Sequence, residues 1–247
     1  MGSVYLIRHG QASFGKADYD ALSEKGHQQS RLLGEHLRAR ITPTRLISGA
    51  MTRHKETYTG FLNGYSDCTR DTSIQESSTP LPELEIDAGF NEFDHVEVMV
   101  RHRPEWADQR VMAQDLAKSK VPRKVFQHEF ETAIARWACG DFDGEYQESW
   151  PQFQARVIAS LNQVLSTAER SQDILIFTSG GPIALICAHV LQMTPNASFA
   201  MNNVIANASI SRLVFSSDPE STRKTSLSYF NSFSHLDGTI PSMLTYR

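Results

Sequence analysis

The stretch Val4-Tyr5-Leu6-Ile7-Arg8-His9-Gly10 (VYLIRHG) decides the fold of this chain. Four apolar residues bounded by a polar pair and a glycine predict a short buried strand of a parallel sheet. Open α/β sheets bind ligands at the carboxyl ends of their strands, so this strand would deliver Arg8 and His9 to a site. Gly10 has no Cβ and lets the chain turn sharply there. Taken alone, however, an ordinary surface Arg-His pair is the better interpretation, because short motifs often match by chance.

Composition limits the kinds of protein that this chain can be. Its 247 residues, 40% of them hydrophobic, are enough for the core of one α/β domain with an insertion. A net charge of -4 and a pI near 6.1 give no electrostatic footprint for nucleic acid, so no nucleic-acid partner is expected. No basic leader and no apolar run of roughly 18 residues is present, which predicts neither a cleaved signal nor a membrane partner.

The three cysteines point to a compartment. Cys68, Cys139 and Cys187 are odd in number, far apart and outside any CxxC pair. This pattern favours reduced thiols over a disulfide or zinc framework. We therefore expect a cytoplasmic protein.

A second strand end carries another candidate site. The run Asp173 to Thr178 (DILIFT) is the clearest buried strand, and it leads into Ser179-Gly180-Gly181-Pro182 and an apolar helix over 183–191. Free backbone N–H groups at a helix N-terminus, together with the helix dipole, bind anions. A tight strand–helix turn with no ligand is about as good an explanation of this segment alone.

Apolar patterning elsewhere predicts helices alternating with strands. Ser23 and Ser149 would each open a helix, another helix would start near residue 50, and residues 63–82 read as a loop or crossover. Further strands are expected at 44–47, 84–86, 208–215 and 226–230. The fold class is therefore α/β, with a doubly wound, mostly parallel sheet flanked by helices.

One segment departs from this alternation. Residues at about 95–145 contain no strand pattern and predict a helical insertion within a single domain of residues 1–247. A helix is expected at 106–118. Phe126, Phe130, Ile134 and Trp137 recur at helical spacing, and such an apolar stripe is more typical of core packing than of a ligand site.

Two more residues add charged groups near these strand ends: a guanidinium that could bind an anion and a carboxylate that could move a proton. Arg53 follows a predicted strand ending near Ser48 and precedes Thr57 by one helical turn, and Glu92 closely follows the strand candidate at 84–86. Each, taken alone, is most simply a solvated surface charge.

Together and in this order, the segments resemble the histidine phosphatase (phosphoglycerate mutase-like) superfamily. The matches cover most of the chain outside the insertion, and the ordered set is far more specific than any one motif. They comprise Arg8-His9-Gly10-Gln11, Leu22-Ser23-Glu24-Lys25-Gly26 with Gln29, Ser48-Gly49 with Arg53 and Thr57, Asn91-Glu92, Glu148-Ser149 with Arg156, Gly180-Gly181, Asn207-Ala208-Ser209, and Asn231 with His235-Leu236.

The resemblance implies a covalent mechanism and a role for each matched position. His9 would attack a phosphomonoester to form a phosphohistidine, and Arg8 and Arg53 would grip the phosphoryl oxygens. Glu92 would protonate the leaving alkoxide and then activate water. Ser179 and Gly180 would contribute to phosphate binding. No cofactor and no metal are expected, and the nine histidines show no HxH or HExxH spacing.

One position departs from the family pattern. The family usually has a second histidine just before the glycine of the late strand–helix turn, where this chain has Ser179. A hydroxyl donates a hydrogen bond but carries no charge, so a weaker enzyme is expected unless His54, His95 or His235 compensates. A surface or packing role is the favoured interpretation for each of these three histidines. Ser179→His is expected to leave activity equal or raised.

The leading hypothesis is a phosphatase that acts on a small phosphomonoester. A phosphate-binding pseudoenzyme or interaction module with little turnover is the alternative from another class. A phosphoglycerate mutase is less favoured, because the residues around Glu92 are apolar or acidic rather than basic. A phosphohistidine protein phosphatase is less favoured because of the insertion, which would instead cover the pocket and select substrate. The oligomeric state stays open, with a homodimer among the alternatives.

Overall fold

The structure is a computed structural model that describes residues 1–13, 20–66, 80–194, 196–216, 225–239 and 241–246. Most of the loop or crossover expected at 63–82, and Cys68, lie outside these ranges. Cys139 and Cys187 are both free thiols.

The strands within these ranges form one six-stranded mixed sheet in the order β3-β2-β4-β1-β5-β6. From β3 to β1 the neighbours are parallel, whereas β5 runs antiparallel to both β1 and β6. All strands except β5 therefore point the same way, as the predicted α/β class requires. The strands are β1 (Gly2–Arg8), β2 (Arg45–Ser48), β3 (Leu84–Ile86), β4 (Asp173–Thr178), β5 (Ile210–Phe215) and β6 (Thr225–Ser232).

Eight α-helices lie within the described ranges. They are α1 (Glu24–Arg38), α2 (Thr52–Ser66), α3 (His95–His102), α4 (Gln109–Ala117), α5 (Pro122–Ala138), α6 (Trp150–Ser166), α7 (Gly180–Val190) and α8 (Ala197–Asn202). Ser23 caps α1, its hydroxyl accepting a hydrogen bond from the Gly26 N–H. None of these helices is long and apolar enough to cross a membrane.

The helix expected at 106–118 is split in two. A 3-10 helix at Pro104–Ala107 ends before Asp108, whose carboxylate caps α4 by accepting from the Arg110 N–H. An N-cap residue is not itself helical, so the cap divides the segment.

A buried apolar cluster fixes the central strands against α1 and α2. Protein cores pack at crystal-like density, so this cluster holds the strands and the two helices in one arrangement. The cluster comprises Tyr5, Ile7, Leu33, Leu37, Leu46, Phe61, Leu175, Phe177 and Ile210.

The chain divides into two compact units, residues 1–92 with 157–247 and residues 93–156. Within the second unit, Trp137 is buried and its ring lies 4.8 Å from that of Phe93 and 5.1 Å from that of Trp150, centroid to centroid. The aromatic stripe of α5 thus belongs to the core of this unit. The single domain with an insertion at about 95–145 stays a prediction.

Candidate active site

Three loops leave the sheet side by side at the carboxyl ends of β1, β2 and β4. The backbone N–H of His9 donates to the Thr178 carbonyl at 2.9 Å, and the N–H of Gly49 donates to the Phe177 carbonyl at 2.9 Å. The parallel register therefore brings His9, Gly49 and Ser179 to one edge of the sheet.

His9 is held in a defined orientation and tautomer. The ring is buried, and its Nδ1 lies 2.7 Å from the Gly10 carbonyl oxygen. A carbonyl oxygen only accepts hydrogen bonds, so Nδ1 carries the proton and Nε2 keeps its lone pair. The Gly10 N–H in turn donates to the Thr57 hydroxyl at 3.0 Å, and the Ala208 N–H donates to the His9 carbonyl at 3.1 Å. These backbone contacts fix the tautomer in which the lone pair is on Nε2.

The surroundings of His9 favour the neutral ring. Burial lowers the pKa of His9 well below 6.5, and the positive charges of Arg53 and Arg8 lower it further. The imidazole is therefore uncharged at neutral pH, with its lone pair available.

The two arginines are positioned by long-range contacts. Arg53, in the first turn of α2, is buried, and its Nη1 donates to the Asp20 carboxylate at 2.9 Å. Arg8 is also buried and donates from Nη1 to the carbonyls of Ile205 and, at 2.8 Å, Tyr246. These contacts hold both guanidinium groups close enough to His9 to shift its titration.

The N-terminus of α7 brings in a carboxylate. Ser179 precedes the helix in an extended conformation and makes no side-chain cap bond to it. The Gly181 N–H donates to Glu92 Oε2 at 3.0 Å. A Cβ at position 181 would lie only 2.0 Å from Glu92 Oε1, so the absence of a side chain lets the carboxylate approach the helix end. Glu92 and the backbone of Gly180 and Gly181 thus lie together.

His54 belongs to this group, contrary to the surface or packing role favoured from the sequence. Its ring is fully buried, with Nε2 2.7 Å from the Ser179 hydroxyl oxygen and its centroid 5.9 Å from that of His9. Burial, with the charge of Arg53, lowers the pKa of His54 well below 6.5. The available signal was its position directly after Arg53 in the first turn of a helix that follows a strand end.

The sequence offers two other histidines for this role. The ring of His235 packs against that of His36, with centroids 5.2 Å apart. His95 is the first residue of α3, in the unit of residues 93–156.

The assembled groups suit chemistry on an anion. A neutral imidazole with a free lone pair is a nucleophile, two guanidinium groups and a helix N-terminus bind anionic oxygens, and a carboxylate can move protons. Within the described ranges, no group of three or more His, Cys, Asp or Glu side chains is arranged to hold a metal ion.

The sequence matches a known family. A family model described as the histidine phosphatase superfamily (branch 1) matches residues 4–118 and 94–226, overlapping segments that together span most of the chain. No curated protein sequence matches it.

Solved structures share the fold. A phosphoserine phosphatase mutant from Entamoeba histolytica, in complex with phosphoserine, is 15% identical with a TM-score of 0.59, over 96% of this chain and 100% of that chain. An α-ribazole phosphatase from Shigella flexneri is 17% identical with a TM-score of 0.57, over 93% and 96%. A phosphoglycerate mutase from Bacillus anthracis is 17% identical with a TM-score of 0.58, over 95% and 94%. At these identities the likeness is one of fold.

Proposed function

Because the chain belongs to the histidine phosphatase superfamily, we propose that it hydrolyses a small phosphomonoester through a phosphohistidine formed on His9. One observation carries the proposal. The buried His9 ring donates from Nδ1 to the Gly10 carbonyl and keeps its lone pair on Nε2, and burial with the charges of Arg53 and Arg8 lowers its pKa so that the ring is neutral.

In the first step, His9 Nε2 attacks phosphorus while the bond from phosphorus to the ester oxygen breaks. Arg8 and Arg53 stabilise the charge on the equatorial oxygens, and the N-terminus of α7 at Gly180 adds backbone donors. Ser179, which we place where the family usually has a second histidine, donates one more hydrogen bond. The Glu92 carboxyl gives its proton to the departing alkoxide.

In the second step, the Glu92 carboxylate takes a proton from water while the water oxygen attacks phosphorus. The bond from phosphorus to His9 Nε2 breaks, and inorganic phosphate leaves. His9 returns to its neutral form and Glu92 to its protonated form, so one ester and one water are consumed per cycle. No step needs a cofactor.

The names of two structural neighbours agree with this substrate class. Phosphoserine and α-ribazole phosphate are phosphomonoesters of alcohols, and proteins with this fold are described as their phosphatases. Phosphomonoester hydrolysis is therefore the most economical proposal for the site. A cytoplasmic location and the absence of nucleic-acid partners stay predictions from composition.

The test compares the wild-type protein with His9→Ala on p-nitrophenyl phosphate, in EDTA, from pH 5 to 8. His27→Ala is the matched control, because His27 is an exposed histidine on α1. Loss of the nucleophile should lower kcat by about 10³-fold or more, whereas the control should match wild type. Acid-labile, base-stable phosphate on the wild-type protein alone would identify the intermediate.

Other outcomes would reject parts of the proposal. Substantial turnover by His9→Ala would remove His9 from the nucleophile role. An inactive wild type would favour the phosphate-binding module, and titration with inorganic phosphate would then measure its affinity.

A further inference from the structure

His54 and Ser179 form a hydrogen-bonded pair that is buried within the candidate site. Neither side chain is exposed to solvent, and His54 Nε2 lies 2.7 Å from Ser179 Oγ. The two residues come from different elements, since His54 is in the first turn of α2 and Ser179 precedes α7. The steps proposed above give His54 no role, although its ring is buried and bonded to a residue that is proposed to bind phosphate.

The contacts of the ring indicate where its proton lies. Among the described residues, His54 Nδ1 has no hydrogen-bond partner, and it is packed against Gly49, where a Cβ would lie 2.2 Å from it. A buried N–H without a partner is rarer than a buried acceptor without one. The proton therefore belongs on Nε2, which faces Ser179 Oγ and donates to it.

This donor settles the direction of the serine hydroxyl. Ser179 Oγ accepts from His54 Nε2 at 2.7 Å, and Arg53 Nη2 lies 3.5 Å from the same oxygen. Since both nitrogens donate to the lone pairs of Oγ, the hydroxyl proton of Ser179 points away from both of them. We propose that His54 is a positioning residue that aims the Ser179 O–H at the phosphoryl group, an inference that rests on the proposed function.

In the family pattern, one histidine stands at the position of Ser179 and donates to the phosphoryl group. Here the Ser179 hydroxyl makes that donation and the His54 imidazole orients the hydroxyl. A hydroxyl that accepts from a neighbouring N–H is a stronger donor, because linked hydrogen bonds polarise one another. Removing one preorganised donor costs on the order of 10²–10³ in kcat in acyl transfer. His54 acts through the Ser179 hydroxyl rather than on the substrate, so its loss should lower kcat by about 10- to 100-fold.

Three substitutions separate this role from simple packing. His54→Gln places an amide near the position of Nε2 and should keep kcat within a few-fold of wild type. His54→Asn places its amide near the position of Nδ1, and His54→Phe keeps a ring without any donor. Both should lose about 10- to 100-fold in kcat. Wild-type kcat in His54→Phe would show that the ring only fills space and would overturn the inference.

A double variant keeps the inference testable if a single substitution of His54 prevents folding. In Ser179→Ala with His54→Phe, both members of the pair are replaced, so neither is left buried without the other. Because His54 acts through the hydroxyl, the double variant should match Ser179→Ala in kcat to within about twofold. A further tenfold drop in the double variant would overturn the inference.

Wild-type turnover separates this inference from the proposed function. If the wild type turns over p-nitrophenyl phosphate and His54→Phe does so equally well, only the inference fails. If the wild type is inactive, the proposed function fails, and calorimetric titration with inorganic phosphate decides the inference. An affinity for phosphate at least tenfold weaker in His54→Phe than in the wild type would then support the inference. Equal affinity in the two proteins, or a wild type that does not bind phosphate, would overturn it.

Discussion

Gly181→Ala is expected to displace the Glu92 carboxylate while leaving α7 intact. A Cβ at this position would lie 2.0 Å from Glu92 Oε1, whereas real Cβ contacts stay beyond about 3.0 Å. The carboxylate must therefore retreat by about 1 Å. The displaced atom is the end of a flexible side chain, so the carboxylate moves rather than the helix.

The expected loss of activity follows from that displacement. A misplacement of about 1 Å can cost about 10²-fold in rate, and a general acid contributes about 10²–10⁴-fold. We expect kcat/KM for an alkyl phosphate to fall by about 10²-fold. Alanine stabilises a helix by about 0.5–1 kcal/mol relative to glycine, which offsets the loss of the contact between the residue 181 N–H and Glu92. The free energy of unfolding should therefore change little.

Two substrates identify the lost step. Phosphoserine releases a basic alkoxide that needs a proton, whereas p-nitrophenyl phosphate releases a stable phenolate. Because kcat/KM reports steps up to the first irreversible one, the loss in Gly181→Ala should be at least about tenfold larger for phosphoserine.

Gly180→Ala is the matched control on the same helix end. Its Cβ would lie 2.2 Å from Asn202 Oδ1 rather than near Glu92, so any loss should be similar for both substrates. Equal losses for both substrates in Gly181→Ala would refute this reasoning. So would a further loss on adding Gly181→Ala to Glu92→Gln, because the carboxyl would already be gone.

Three further predictions concern histidines and one concerns a buried hydroxyl. Because burial and two arginines lower the pKa of His9, kcat/KM for p-nitrophenyl phosphate should hold to well below pH 6.5. An acidic limb at 6.5 or above would contradict this. Burial lowers the pKa of His235 to about 4, so the unfolded chain binds a proton between pH 6.5 and 4 that the folded chain does not. The free energy of unfolding, measured in urea titrations, should thus fall by up to about 3 kcal/mol on acidification from this group alone, and His235→Gln should lack this part of the fall. The same pH dependence in His235→Gln as in the wild type would contradict the prediction. Thr57→Val should lower the free energy of unfolding by about 1–3 kcal/mol, because a buried amide N–H loses its acceptor, whereas Thr57→Ser should cost less. Finally, in contrast to the expectation from the sequence, Ser179→His should lower activity, because His54 already fills the space beside residue 179. Activity equal to that of the wild type would show that the site has room for a second imidazole.

The fold was predictable where burial alone decides the local structure. The strand from Asp173 to Thr178 is apolar and ends at a polar turn, and its observed bounds are the predicted ones. Ser23 was recognised as a cap because a serine before a helical pattern satisfies a free backbone N–H. The break at Asp108 was missed, because the apolar pattern continues across it and only the local cap divides the helix.

Contacts between distant residues account for what was missed in the site. Asp20 binds Arg53 across 33 positions, and the Tyr246 carbonyl accepts from Arg8 across 238. Neither partner belongs to a motif, and a main-chain carbonyl has no sequence signature at all. The motifs therefore predicted which charged side chains belong to the site, whereas contacts between distant parts of the chain determine what holds those side chains in place.

His54 shows why helical periodicity was not enough. Neighbouring residues on a helix point about 100° apart, so Arg53 and His54 would ordinarily face different surroundings. Both nevertheless reach Ser179 Oγ, at 3.5 Å and 2.7 Å. They can do so because every Cα–Cβ bond tilts toward the helix N-terminus, and both residues lie in the first turn of α2. A partner beyond the N-terminal end of a helix can thus be reached from more than one face. First-turn residues of helices that follow strand ends should therefore be considered together as site candidates, whichever face they occupy.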